Sequence, residues 1–458
     1  MTLQMDNPLT SFQWKPQPQA EKVVRGIVDD FLSRTPAARE LSRRMTDETG
    51  TRFFDWIDSI ALPANRDTEA ELLAAGYESR PVDGQGKRFA HEGGIFPPIR
   101  FGANRTEIGI KVESVVDFAA ANQLPLKVEQ PPLSLVRRLP VAEGQGTALW
   151  AVERHGYRGE NPPAWNESKK LLLLKHAEQF RTRRRMFEQD EDGFKEADRL
   201  ADAAIADLGV DVTCDIFFAA EREFWTRKNR AAQFQKARQD KLGLGWANHD
   251  HHTYRSSRKY FARMIGFFEK LGFHCRERFY PGEGAGWGAQ VIEQPHTGII
   301  IFADVDISPH ELMSDFAHEP LPARDKLNTV GLWCGLHGES FLEAGMHHLE
   351  AQFDFDALRQ QMESQGGVKV MKPFTDFTYL RQAFTEGERW NVREERIAKL
   401  LAAKLITDDQ AKQFRTQGAI GSHLENLERN EGFKGFNQTG VTEIINATDP
   451  RLHAVPSR

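Results

Sequence analysis

Between Arg258 and Leu271 the apolar residues Phe261, Met264, Ile265, Phe268 and Leu271 fall at helical spacing, and Gly272 follows directly. That pattern predicts an amphipathic helix closed by a glycine cap, with Ser256 and Ser257 standing where an N-cap belongs. The stretch before it, His249 to Tyr254, reads as extended because Thr253 and Tyr254 favour strands. Three further extended pieces follow, 273–280, 287–294 and 298–303, separated by Pro281-Gly282 and by a turn at 295–298. The order is βαβββ. Gly282, Gly284, Gly286 and Gly288 open no helix, so they read as a hairpin rather than a dinucleotide fingerprint.

The same order returns downstream. Residues 345–353, GMHHLEAQF, form a strand candidate, and 354–365 a helix with Asp354 as N-cap and Phe355, Leu358 and Met362 on one face. Strand candidates follow at 368–371 and 377–384. A polar, helix-forming insertion at 386–429 then delays the last strand, expected at 440–446, GVTEIIN. Ile397, Leu400, Leu401, Leu405 and Ile406 stripe that insertion and are broken at Thr407-Asp408-Asp409, which predicts two helices, read as a cover over the mouth of the second module.

Upstream, 1–51 is mostly helical, with an apolar stripe at Val23, Val24, Ile27, Val28 and Phe31. Residues 52–160 break into short extended pieces and turns, an α/β region that fits a degenerate further module. Residues 161–243 are charged and helical, a spacer that delivers the chain to the first module at 244–310; the second occupies 311–458. The fold class expected is α+β: paired βαβββ modules behind a helical and α/β N-terminal region. Arg181, Arg183, Arg184 and Arg185 sit in the spacer flanked by Glu178, Glu188 and Asp190, so a solvated helix face is preferred over a nucleic-acid patch.

Composition narrows the function. A net charge of −6 over 458 residues argues against nucleic acid as a partner. Three cysteines, Cys214, Cys275 and Cys334, are odd in number and far apart, which disfavours a disulfide framework and points to a reducing, cytoplasmic setting. No apolar run approaches membrane-spanning length, so no membrane partner is expected.

The candidate chemistry lies in the histidines that open each module and in a carboxylate near the end of the chain. Strand alternation puts His249 and His251 on one face and His252 on the other. His347 and His348 stand adjacent, and Glu443 lies in an otherwise apolar stretch where an uncompensated carboxylate would be costly. The paired layout resembles the vicinal oxygen chelate superfamily. Within it, His251-His252-Thr253-Tyr254-Arg255 resembles the His-x-x-x-Arg motif of the 2-oxoadipate dioxygenase/decarboxylase (hydroxyglutarate synthase) family. His348-Leu349, followed by Phe353 to Asp356, resembles that family's second histidine motif, and Thr442-Glu443-Ile444 its glutamate strand. The likeness covers roughly 246–446. His155, in Glu153-Arg154-His155-Gly156-Tyr157-Arg158, is a second candidate for the first motif, with its arginine one residue too close.

That resemblance implies His251, His348 and Glu443 as ligands of one Fe(II), or of another divalent metal, and Arg255 as the catalytic-site anchor for substrate. Two imidazoles and a carboxylate leave about three positions open on a six-coordinate metal. Those positions accommodate a chelating 2-oxo acid and O2, the implied partners. The implied activity is that of an iron-dependent dioxygenase/decarboxylase. The same scaffold also fits a metal-dependent isomerase, lyase or extradiol-type dioxygenase, or a binding protein without catalysis.

Overall fold

The computed structural model describes residues 14–82, 86–281, 283–437, 449 and 451. Two sheets organise them. The first contains β1 (Ile57–Leu62), β2 (Glu78–Val82), β3 (Gly86–Ala90), β4 (Ile99–Phe101), β5 (Thr106–Lys111), β6 (Val136–Gly144) and β7 (Thr147–Arg154), in the order β2-β3-β4-β1-β5-β7-β6. The second contains β8 (His249–Arg255), β9 (His274–Phe279), β10 (Trp287–Gln294), β11 (Ile299–Asp306), β12 (His348–Gln352), β13 (Thr375–Phe377), β14 (Leu380–Phe384), β15 (Glu388–Trp390) and β16 (Ala419–Arg429). Its order is β13-β14-β16-β12-β8-β11-β10-β9, with β15 beside β16.

The α+β class and the paired βαβββ modules expected from the sequence are what the chain adopts. In the first module β8 runs parallel to β11, and β10 and β9 add antiparallel outside it. In the second, β12 runs parallel to β16, and β14 and β13 repeat the antiparallel extension. The modules join edge to edge where β8 pairs antiparallel with β12. Residues 52–160 carry the same logic. β1, the helix Arg66–Ala74, β2, β3 and β4 make one full βαβββ unit, and β5, the helix Val115–Ala121, β6 and β7 make a shortened one.

Several local expectations change. The helix of the first module is Phe261–Lys270 and takes Tyr260 as N-cap; Ser256 and Ser257 instead donate to the buried carboxylate of Glu339. Asp354 does cap its helix, accepting from the Ala357 amide. The expected strand at 368–371 contributes only an isolated bridge, Val370 to Thr385. The insertion read as helical over 386–429 holds two helices, Glu394–Ala402 and Asp408–Gln417, and then becomes β16, which takes the last-strand position of the second module. The strand expected at 440–446 falls outside the described residues.

The insertion also does not cover the site. Its apolar stripe, Ile397, Leu400, Ile406 and Phe414, packs on Leu332 and Leu336 of the helix Thr329–His337, so that stripe is spent on a partner helix. The spacer is four helices, Glu167–Arg181, Asp190–Leu208, Val210–Arg227 and Arg230–Lys241, and Phe217, Phe218 and Trp225 join the core that also holds Tyr254, Phe268 and Leu349. These helices therefore cover one face of the second sheet. Arg183 and Arg185 are not solvated: both are buried and pair with Glu221, which also accepts from the Tyr254 hydroxyl. Among the described residues no helix is long and apolar enough to cross a membrane.

Candidate metal centre and its cavity

The junction of β8 and β12 has an approximate two-fold axis that can be read from its register. His348 lies opposite Thr253, Leu349 opposite His252, and Glu350 opposite His251. Rotation about the middle pair exchanges His251 with His348 and Thr253 with Glu350. The parallel neighbours extend this relation: Ile300 sits beside His251 as His423 sits beside His348, and Phe302 beside Thr253 as Glu425 beside Glu350. The two halves thus present His251 and Phe302 from one module against His348 and Glu425 from the other, all on one face.

The side chains converge as that register demands. Ligand atoms of His251, His348 and Glu425 all lie within 4.8 Å of one another, and all three residues are buried. His348 Nε2 is 3.3 Å from Glu425 Oε2 and 2.7 Å from the Thr253 hydroxyl. A second carboxylate is close: Glu350 touches His251 Nε2, and the Gln382 amide donates to Glu350 at 2.8 Å and to Glu425 at 3.2 Å. Glu425 reaches both imidazoles, whereas Glu350 groups with His251 and Asp250.

The electrostatics suit a cation. Burial, and then the charges of His251, His423 and Arg255, hold the His348 imidazole well below its usual range, in the neutral form that ligates a metal. Burial and the neighbouring Glu350 push the Glu425 carboxyl well above its own. Three buried carboxylates, Asp250, Glu350 and Glu425, face one buried guanidinium, Arg429, in this cluster. A divalent ion would supply the missing positive charge, and two imidazoles with one carboxylate are a donor set suited to iron, so the residues present fit the group.

Strand alternation alone misplaces His249. Asp250 is a bulged residue, because His251 pairs with Glu350 while His249 pairs with Ala351. The bulge turns His249 to the far face, where its ring meets that of His252 edge to face at 5.2 Å, beside Phe218. The extra residue is put to use: Arg429 donates to both oxygens of Asp250 at 3.0 Å, and Asp250 Oδ1 lies 3.2 Å from His251 Nδ1. Burial opposes ionisation of Asp250, but Arg429 and His251 outweigh it and hold the carboxyl below its ordinary value. An Arg-Asp-His chain of this kind fixes the ring from behind. Asp250→Asn is therefore expected to weaken metal binding by about 10- to 100-fold with the fold retained, as read by metal titration alongside circular dichroism; unchanged affinity would remove Asp250 from the site.

His347 is not in the ligand group: it bonds the Gly421 carbonyl at 3.0 Å, with its ring 5.1 Å from that of His348. His155 belongs elsewhere: it lies 2.9 Å from Glu153 and 3.1 Å from Asp215, joining β7 to the helix Val210–Arg227. Burial works against its charge, yet the two carboxylates raise it to about 10. Glu443 lies outside the described residues.

A cavity of about 80 Å³ opens on the metal-facing side. Phe279, Trp287, Phe302, Phe374, Phe384 and Phe436 wall it, and Arg255 with Asp304 stands beyond Thr253. Phe436 stacks edge-on at 5.2 Å from His251 and 4.4 Å from Phe302. The chain after β16 is tied down by Arg429, which donates to the carbonyls of Phe433 and Gly435 at 3.1 and 2.7 Å. This segment, not the helical insertion, overlies the histidines. Arg255 is 3% exposed, yet its Nε and Nη1 have no hydrogen-bond partner among the described residues. Asp304 is 3.7 Å away, beyond hydrogen-bonding distance. Burial raises Asp304 to about 7 although Arg255 pulls it down.

No family model and no curated protein matches the chain. Solved structures resemble it at low similarity. A putative glyoxalase superfamily protein from Ralstonia eutropha is 10% identical over 58% of this chain and 97% of its own, with a TM-score of 0.32. A mutant of 4-hydroxymandelate synthase from Streptomyces coelicolor is 10% identical over 87% and 99%, at 0.29. Methylmalonyl-CoA epimerase from Mycobacterium tuberculosis is 13% identical over 40% and 89%, at 0.23. Similarity at this level attaches none of those activities to this chain.

Sequence reasoning missed Glu425 and Glu350. A signal for Glu350 was available, since it follows His348 by two residues on a strand. Glu425 was hidden, because Ile420, Leu424 and Leu427 fall at helical spacing.

Proposed function

We propose that the protein is an iron-dependent dioxygenase that decarboxylates a small 2-oxo acid, with His251, His348 and Glu425 holding the metal. The observation that carries this reading is the convergence of two imidazoles and one carboxylate on one face, while the two-fold equivalent of Glu425 is Phe302. Phe302 ligates nothing, so a fourth protein donor is missing where symmetry would place one. Ligand positions for substrate and O2 are left open. When bound, iron supplies the redox chemistry by which O2 oxidises the 2-oxo acid with loss of CO2.

The chain's own residues handle the substrate and the water. Thr253, between His251 and Arg255 along β8, offers a hydroxyl to an oxygen of the bound acid. Arg255, two residues further on the same face, presents unpaired N–H groups to a carboxylate at the far end of the molecule. The spacing along the strand, about 13 Å from residue 251 to 255, suits an acid with a carbon chain between its two charged ends. That is the finer part of the proposal: a 2-oxo diacid resembling 2-oxoadipate. The aromatic walls exclude solvent from the reacting end.

The test is metal analysis of the purified protein, followed by oxygen consumption with 2-oxo monoacids and 2-oxo diacids of increasing length. Iron with diacid-dependent oxygen uptake is the expected result. A bound metal without oxygen uptake would favour the isomerase or lyase reading, and no metal affinity at all would leave a binding protein.

Asp304 adds a pH dependence. As pH rises through about 7 its carboxyl ionises and competes with the substrate for Arg255. The apparent KM for a diacid is therefore expected to climb above that pH, and Asp304→Asn to flatten the rise. A pH profile identical in the variant would sever Asp304 from substrate binding.

A further inference from the structure

A second group of metal-binding side chains lies outside this cavity. Glu269 is in the last turn of the helix Phe261–Lys270, Cys275 is on β9, and His318 is in the connection between β11 and the helix Thr329–His337. Their ligand atoms lie within 4.8 Å of one another, and all three residues are exposed. His318 Nε2 is 2.8 Å from Glu269 Oε1, and its Nδ1 is bonded at 2.8 and 2.9 Å to the two oxygens of Asp315.

We propose that Glu269, Cys275 and His318 form a peripheral divalent-metal site, with a preference for zinc, in which Asp315 is the positioning residue for His318. A helix, the strand that directly follows it and a later connection bring together one sulfur, one nitrogen and one oxygen donor, a mixture that suits zinc and that a hard cation such as magnesium or calcium does not favour. The carboxylate at Nδ1 fixes the tautomer and directs Nε2 toward the other two donors, the arrangement that metal-bound histidines use. A surface ion pair between His318 and Glu269 would need neither the thiol nor Asp315. Geometry leaves a fourth position to water, since the ligands come from one exposed face.

Metal entry has to displace the protons that this site holds. Glu269 and Asp315 hold the His318 imidazolium above its usual range. Burial, and then the same carboxylates, raise the Cys275 thiol to about 11. Binding of a metal displaces the thiol proton to solvent and replaces the Nε2 proton, so the site exchanges protons for one divalent cation and loads more readily as pH rises.

Cys275 is the exposed cysteine of the three, with Cys214 and Cys334 buried, which makes its alkylation a direct readout. Iodoacetamide should modify Cys275 in the full-length protein, and zinc ion should slow that reaction by about tenfold or more, because a coordinated thiolate is both blocked and less nucleophilic. His318→Ala and Glu269→Gln should each abolish the protection, whereas His251→Ala, which disables the cavity site, should preserve it. The proposal is overturned by an equal rate with and without zinc, or by protection that survives His318→Ala. Cobalt gives an independent reading: a thiolate-to-metal charge-transfer band is expected in the native protein and absent in Cys275→Ser, and a band that persisted there would equally defeat the assignment.

Discussion

Single replacement of His251, His348 or Glu425 by Ala is expected to strip iron from the protein while leaving it folded. Losing a partner behind a ligand costs about 10- to 100-fold in affinity, and losing the ligand itself should cost more than that. The fold should survive, because removing Glu425 also relieves the repulsion it shares with Glu350 and Asp250. Iron content after dialysis, with thermal unfolding as a control, makes the measurement. Glu350→Gln and Glu443→Ala serve as comparisons. If Glu425→Ala kept its iron and Glu443→Ala lost it, the carboxylate ligand would be the one expected from the sequence motif, and the arrangement proposed from the register would be wrong.

Arg255→Lys should raise the apparent KM for a 2-oxo diacid by roughly 30-fold, the lower end of what an unpaired buried charge costs. Lysine keeps the charge but cannot present two parallel N–H groups from a fixed plane. Iron content should stay near that of the parent, since Arg255 lies two strand positions beyond Thr253 and contacts no member of the proposed ligand set. A 2-oxo monoacid should be nearly indifferent to the change, having no distal carboxylate to lose. Loss of iron in this variant would make Arg255 a support for the metal site, and unchanged kinetics for both acids would remove it from substrate recognition.

The first module of the second sheet was legible because its strands are short, bounded by turn residues and separated by one strongly amphipathic helix. The second was legible through the helix Phe355–Gly366 and then obscured: 377–384, read as one strand, straddles the turn between β13 and β14. β16 is buried along almost its whole length, on both faces, between β12, β14 and the helices above it. A strand covered on both sides shows no alternation, and Ile420, Leu424 and Leu427 happen to repeat like a helix. The bulge at Asp250 is a second such case, since one inserted residue reverses which histidines share a face and no pattern in HDHHTYR announces it. The N-terminal sheet escaped pairing into modules because its crossover helices are short, Arg66–Ala74 and Val115–Ala121, and β4 spans only Ile99–Phe101. Arg183 and Arg185 looked solvated beside their acidic neighbours in sequence, while their partner, Glu221, comes from a helix two elements later.

The late arrival of β16 has a consequence for how the molecule is made. β8 and β12 can pair as soon as residue 352 is available, but Glu425 joins them only after a helix, three strands and a two-helix insertion have been synthesised and docked. Parallel pairing of β12 with β16 closes that long loop, which is entropically slow. A chain truncated before β16 would hold both histidines and no Glu425, so a metal ion held by the proposed ligands would not nucleate this domain and would be captured by an almost finished protein. Refolding rate should then be independent of iron concentration, with iron acting on the unfolding side alone.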